Sequence, residues 1–391
     1  MQPFAAARIL DLTRGVTGPY AAKLLADLGA PVIKVESPPD GDPARAIGPF
    51  PGDTPDAETG ALFHYLNSNK RGITADLESA TGRSLVAALA RWAHVIIEDF
   101  SPGRLADLGL GFHRLSSLNP SVILVSITPF GQVGPYASYA ATEGVLEAMG
   151  GPVIGNGTSD REPYKYPEHV MELYAGSAAA VAIAAPLFGV LFVQPGGGQP
   201  LHLDLSVMET YLASADRRSA ALLAYQYTGE LMMKRRALGE LRVGHGIRRC
   251  KDGYVSIHAG GPRLPRLLAM LGEGSSAPIP SAAEAKTEAS RSRIEEALWQ
   301  WLSMRTRGQV WDAALRHKVP FAPVRTPVDI ARALSASFSD SILCTPPFEA
   351  PKGYWRHTRA PRLGEHNQEI YTGLLGLSAY QLARLRQAGA V

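Results

Sequence analysis

The chain has 391 residues, 46% hydrophobic and 19% charged, enough for two or three domains with sizeable cores and without the polarity of a disordered chain. Thirty-nine basic residues against 36 acidic leave a formal charge of +3, too small an excess for a general nucleic-acid binder, although a local basic groove for a phosphorylated ligand stays open. Cys250 and Cys344 lie far apart in the sequence, give neither a disulfide framework nor a thiolate metal site, and fit a reducing, cytoplasmic setting.

Residues 8–12 predict a short strand that leads into a turn with Gly15, Gly18 and Pro19. Beyond it Ala21, Leu24, Leu25 and Leu28 recur on one helical face, Gly29 stops the helix, and residues 31–35 form the next strand, completing a βαβ unit at Glu36. A second unit follows: a strand at 72–77, a helix at 79–92 and a strand at 94–98. Residues 122–127 are almost continuously apolar, as a strand covered on both faces would be. Strands alternating with helices predict an α/β fold whose mostly parallel sheet is flanked by helices.

From about Glu143 the pattern turns helical. The apolar run at 178–193 is interrupted by Pro186 and Gly189, falls short of the roughly 20 residues a bilayer requires and starts as a buried helix, so no membrane partner is expected. The amino terminus also lacks the basic and apolar regions of a secretory signal. A strand at 201–205 follows Gly196, Gly197 and Gly198. Lys234, Arg235 and Arg236 read as a linker into a smaller region from about Arg242, with a strand at 253–257, a helical neighbourhood at 299–311 and a last helix at 377–386.

Gly15, Gly18 and the helix start after them are suited to cradling a phosphate on backbone N–H groups, and equally to making a tight structural turn. Asn67 to Gly72 places two amides and two cations, Lys70 and Arg71, just before a strand, a pattern that serves either charge-assisted phosphate binding or a solvated basic turn. Arg104, past the strand ending at Glu98, adds a further wall where parallel sheets bind ligands. The ten histidines have no close paired spacing, so no metal site is expected.

Several passages occur in an ordered succession: Leu10-Asp11-Leu12-Thr13-Arg14 with Gly18-Pro19, Gly41-Asp42-Pro43-Ala44-Arg45, Asn69-Lys70-Arg71-Gly72, and Pro102-Gly103 with Leu108-Gly109-Leu110. Phe130-Gly131-Gln132, Asp204-Leu205-Ser206, Lys251-Asp252-Gly253-Tyr254 and Leu363-Gly364-Glu365-His366-Asn367 continue it. Over nearly its whole length the chain resembles the family III coenzyme A transferases, a group that includes formyl-CoA transferases and, as a branch, the alpha-methylacyl-CoA racemases. The resemblance implies a Rossmann-like large domain over residues 1–225, a small domain over 226–325 that closes on the acyl site, and a return to the large domain over 326–391. It further implies an interlinked homodimer of ring-shaped subunits. Coenzyme A, entering as co-substrate with no permanently bound cofactor and no metal, is expected near Arg14, Gly18, Glu36, Arg45, Asn69, Lys70, Arg71 and Arg104.

The family's catalytic aspartate sits at a helix start, in a pattern of Gly, four residues, Asp, then Ala-Gly. Here Pro167 replaces the glycine, Glu172 replaces the aspartate, and Ala175-Gly176 keep the landmark. Glu172 is thus the expected nucleophile, with Glu143, His169, Gly197, Gly198 and Gln199 as candidate support for the acyl group. The activity implied is transfer of CoA from an acyl-CoA to a carboxylic acid. Two alternatives are a noncatalytic CoA-binding subunit that keeps the fold without the aspartate, and an acyl-CoA racemase or isomerase. The racemase branch expects a histidine where this chain has Ala140-Ala141-Thr142-Glu143.

Overall fold

In the computed structural model, which describes residues 2–157, 159–193, 198–213, 217–230, 243–273, 278–335 and 348–391, the chain separates into two compact units. The first holds residues 1–156, 163–233 and 344–391, and the second holds 157–162 and 234–343.

The first unit begins with β1 (Ile9–Asp11), α1 (Thr17–Asp27), β2 (Val32–Glu36), α2 (Ala61–Asn67), β3 (Arg71–Thr74), α3 (Ala80–Trp92) and β4 (Val95–Glu98). It continues through α4 (Arg104–Asp107), α5 (Phe112–Leu118), β5 (Ile123–Thr128), α6 (Glu143–Met149), α7 (Val170–Phe188), β6 (Leu201–Ser206), α8 (Val207–Leu212) and α9 (Arg217–Thr228). All six strands are parallel, in the order β3-β2-β1-β4-β5-β6. The strand order reverses at β1, which pairs with β2 on one side and β4 on the other. The carboxyl ends of β1 and β4 therefore border the crevice where such sheets take ligands.

Successive strand residues go to opposite cores. Ile9, Val32, Val95, Ile97, Ile123 and Val125 face α1 and α7, whereas Leu10, Ile33, Ile73, Ile96 and Leu124 face α3, α5 and the carboxyl-terminal residues Ile370 and Tyr371. A strand buried on both sides needs apolar residues at every position, which explains the runs without alternation. The edge strand β3 is covered by the returning chain: His366 N–H donates to Gly72 O at 2.9 Å, Asn367 Oδ1 accepts from Thr74 N–H at 2.9 Å, and the Tyr371 hydroxyl donates to Thr74 O at 2.6 Å. Those bonds occupy backbone groups that would otherwise template another strand.

Helix α7 runs through Pro186, where the sequence predicts an interruption, and continues as a wider turn to Val193. Ala175, Ala179, Ile183 and Leu187 recur on its core-facing side, and that burial holds the helix despite the one N–H a proline lacks. Within the 24 residues Val170–Val193, an 18-residue window has a mean hydropathy of 2.1, and about a third of that window is buried in the fold.

The second unit carries an antiparallel sheet of β7 (His245–Cys250), β8 (Gly253–His258) and β9 (Phe321–Pro323), with α10 (Leu264–Gly272), α11 (Glu288–Ser303), α12 (Arg307–His317) and α13 (Pro327–Ser335). Val255, Ile257, Leu267, Leu298, Val310 and Phe321 make its core, beside the buried Cys250. The helical neighbourhood expected at 299–311 is two helices, because Thr306 and Gln309 form a capping box that starts α12 afresh. The predicted linker at Lys234, Arg235 and Arg236, along with Cys344, falls outside the described residues. The last helix, α14 (Ala379–Gln387), belongs to the first unit and starts at a second capping box, Ser378 with Gln381.

Candidate active site

Loops at the carboxyl ends of β1, β2 and β3 border a small crevice lined by Thr13, Arg14, Lys34, Glu36, Asp42 and Phe100. Gly18 is required there by space, since a Cβ would collide with the Thr13 side chain. Four of the expected CoA-contacting residues face inward. Arg45 grips Glu36 with two bonds, Nε to Oε2 at 2.7 Å and Nη2 to Oε1 at 2.9 Å, both side chains buried. Lys70 Nζ donates to Asp11 Oδ2 at 2.8 Å, Pro19 O at 2.8 Å and Asn67 Oδ1 at 2.9 Å. Asn69 has a left-handed backbone (φ 67°) and accepts from Thr358 N–H at 2.6 Å. Lys70 and Asn69 tie the loop before β3 to α1 and to the carboxyl-terminal return, and Arg45 ties the loop after β2 to the same return through Pro361 O at 3.1 Å.

The pairs are electrostatically complementary. Burial works against the Asp11 charge, but Lys70 and Lys34 outweigh it and hold the carboxyl below the usual range. Burial draws the Lys70 ammonium down to about 8, with Asp11 opposing the shift. The cations left with accessible side chains are Arg14, lying 5.8 Å over the Phe100 ring, Arg71, 3.0 Å from Glu369, and Arg104, paired with Glu78. At the strand switch, Asp99 Oδ2 accepts the Arg14 N–H at 2.7 Å, while Oδ1 is buried without a partner among the described residues. Burial pushes this carboxyl up to about 7.

Glu172 stands in the first turn of α7. Gly176, one turn on and on the same face, explains the Ala-Gly landmark: a Cβ there would come within 2.7 Å of Thr17 O and 3.1 Å of Tyr20, so only glycine lets α7 cross the start of α1 this closely. The glycine turn before α1 and the Glu172 carboxylate are thereby brought into one region.

The start of α7 is capped from another helix. His169 occupies the N-cap with a left-handed backbone (φ 67°) and its own side chain makes no cap bond. Glu143, the first residue of α6, supplies the cap: Oε2 accepts from His169 N–H at 3.0 Å, and Oε1 from Met171 N–H at 3.1 Å and Glu172 N–H at 3.4 Å. The free His169 side chain turns to Glu172, with Nδ1 2.7 Å from Oε2 and Glu172 29% exposed. Burial raises the Glu172 carboxyl above the ordinary range and the Glu143 charge adds to that, while the His169 bond opposes it.

Glu143, His169 and Glu172 each place a potential ligand atom within 4.8 Å of the other two, a grouping invisible to histidine spacing because it joins residues 29 apart. Those atoms are engaged with one another and with the helix start. Two further groups approach the site that the sequence did not single out. Glu147, one turn after Glu143, is buried and accepts from Tyr166 N–H at 3.1 Å. Tyr211 of α8 is fully buried, its hydroxyl has no partner among the described residues, and its phenol is pushed up by burial and by the charges of Glu143, Glu172 and Glu147. Their only sequence signal is the Glu143–Glu147 spacing on one helical face.

Gly197 lies outside the described residues. Gly198 and Gln199 are not brought to Glu172 within one chain: α7 runs antiparallel to the sheet, so the turn before β6 begins at the other end of a helix of 19 residues, roughly 25 Å away at 1.5 Å per residue.

The family model described as CoA-transferase family III matches residues 5–367. The succinate–glutarate CoA-transferase of Agrobacterium fabrum is 39% identical over 213 residues, covering 54% of this chain and 52% of that protein. Subunit BbsE of the succinyl-CoA:(R)-benzylsuccinate CoA-transferase of Thauera aromatica is 28% identical over an alignment of 426 residues, covering 100% of this chain and 98% of that subunit. A solved CAIB/BAIF family protein from Brucella suis superposes with a TM-score of 0.80 at 27% identity, covering 95% of this chain and 99% of that one.

Proposed function

The chain belongs to CoA-transferase family III, and from that premise we propose that it moves coenzyme A from an acyl-CoA thioester to a carboxylic acid with Glu172 as nucleophile. The observation that carries this reading is a carboxylate at the family's catalytic position, set in a capped helix start and held at 2.7 Å by His169.

A Glu172 oxygen attacks the thioester carbonyl carbon, the C–S bond breaks and CoA leaves as thiolate, giving a mixed anhydride. Thiolate attack on the Glu172 carbonyl carbon releases the donor acid and leaves a glutamyl-CoA thioester. The acceptor carboxylate displaces that thiolate to form a second anhydride, and thiolate attack on the acceptor's carbonyl yields the new acyl-CoA and frees Glu172. Burial strips water from the nucleophile, which raises its carboxyl above the ordinary range and leaves the ionised form less solvated.

Coenzyme A is the co-substrate, with no permanently bound cofactor. Arg14, Arg71 and Arg104 offer charge-assisted bonds to its phosphates, while Asn69 and Lys70 shape the loop that leads into Arg71, and the Glu36–Arg45 pair shapes the loop after β2. The named substrates of the two relatives are dicarboxylic, so the acceptor class proposed is a short dicarboxylic acid. The second unit is the inserted small domain, and a free buried thiol fits a cytoplasmic enzyme. A homodimer is supported by α7, apolar all round yet with Val181 72% and Phe188 56% exposed, a face that a second chain would cover. Light scattering that finds a monomer would overturn the dimer.

The test is incubation with succinyl-CoA, intact-mass analysis with hydroxylamine trapping, and exchange of labelled succinate into the thioester. An adduct at Glu172 with label exchange supports transfer. CoA binding with neither adduct nor exchange selects a noncatalytic subunit, and α-proton exchange without transfer selects an isomerase.

A further inference from the structure

The transfer steps leave one end of the His169 ring unused. A carboxylate at 2.7 Å from Nδ1 favours the tautomer with its proton on that atom, which makes Nε2 the basic nitrogen. Nε2 has no partner among the described residues, and the His169 side chain is 31% exposed, so water reaches the ring. Its backbone is left-handed, an uncommon state for a residue with a Cβ, and Glu143 holds it there by accepting the His169 N–H. Two carboxylates, Glu172 in contact and Glu143 beside it, set their oxygens against the ring.

We propose that this chain also hydrolyses the acyl-CoA it binds, with His169 as general base on a water molecule and Glu172 as the group that orients the ring. The inference rests on the thioester being seated at Glu172, as in the transfer reading. Nε2 removes a proton as the water oxygen adds to the thioester carbonyl carbon. The tetrahedral intermediate collapses with cleavage of the C–S bond, and the imidazolium returns the proton to the departing thiolate. The balance is one acyl-CoA and one water to one carboxylic acid and one CoA thiol, with no redox change. Water and the acceptor acid then compete for the same thioester, and hydrolysis dominates when the acceptor is absent.

The test uses the full chain with succinyl-CoA and glutaryl-CoA, no acceptor acid, and a chromogenic thiol reagent, against an enzyme-free control. Thiol release is expected to continue past one per chain. His169→Asn suits the left-handed backbone but supplies no base, and is expected to lower the rate about 100-fold or more. His169→Gly is expected to recover hydrolysis when imidazole is added, which a purely structural role would not produce. Circular dichroism checks that both variants fold. Release that stops at one thiol per chain, a His169→Asn variant as fast as the parent, or no rescue by imidazole would each overturn the proposal. Label exchange between succinate and succinyl-CoA is measured alongside: steady release without exchange overturns transfer and keeps hydrolysis, and exchange without release does the opposite.

Discussion

Oε2 of Glu172 lies 2.7 Å from Nδ1 of His169, so the proposed nucleophile is held by the residue at the N-cap position of its own helix, a position whose cap bonds Glu143 supplies. That contact suits a glutamate and not the shorter aspartate of the family. Glu172→Asp is expected to lose the bond and, with a displacement near 1 Å, to lower label exchange about 10²-fold. Glu172→Gln is expected to abolish the covalent adduct in intact-mass spectra; wild-type exchange in that variant would sink the assignment.

The acidic limb of the transfer rate should report the Glu172 carboxyl. Attack requires the ionised form, and burial with the Glu143 charge raises this group above its ordinary 4.5, so activity is lost on acidification earlier than for a free glutamate. Glu143→Gln removes a like charge and moves the limb to lower pH. His169→Asn removes the bond that favours ionisation and moves it to higher pH. Profiles of kcat/KM that shift the two variants in the same direction would contradict this electrostatic account.

Basic residues of one loop should separate into two classes. Lys70→Met leaves the Asp11 charge buried without its cation and is expected to cost about 3–5 kcal/mol in denaturant unfolding, with Asp11→Asn added in the same chain recovering part of it. Arg71→Gln and Arg104→Gln, at accessible sites, are expected to leave stability within about 0.5 kcal/mol. Each should weaken CoA binding about tenfold by calorimetry, in a salt-dependent manner. A stable Lys70→Met with weakened CoA binding would reverse the division.

Asp99 should make stability fall as pH rises. Its carboxyl is pushed up to about 7 in the fold against 3.8 ordinarily, so between those values the native state holds a proton that the unfolded chain has released. Stability from this group is complete below about 4 and declines through pH 7. Asp99→Asn keeps the acceptor for Arg14 N–H and removes the titration. Its gain in Tm over the parent should be larger at pH 8 than at pH 5; equal gains would show that Asp99 is charged throughout.

The sheet was legible because local signals agree: Gly29 ends α1, Ser79 caps α3, and the strands are apolar at each position that the two-sided burial requires. Pro186 misled because the propensity of one residue yields to the packing of Ile183 and Leu187 around it. Lys70 and Arg71 look alike in sequence, and only the fold shows that one is sealed against Asp11 while the other reaches solvent. The Ala-Gly landmark points to position 172 at a helix start, but nothing local in the sequence points to its cap by Glu143, 29 residues away.

The close crossing at Gly176 works as a hinge pin with no play. Adding even a methyl group there would pry α7 off Thr17 and swing Glu172, one turn away, with the helix that carries it. Reshaping this enzyme for a bulkier acid should therefore start from α6, whose Glu143 reaches Glu172 from outside that crossing.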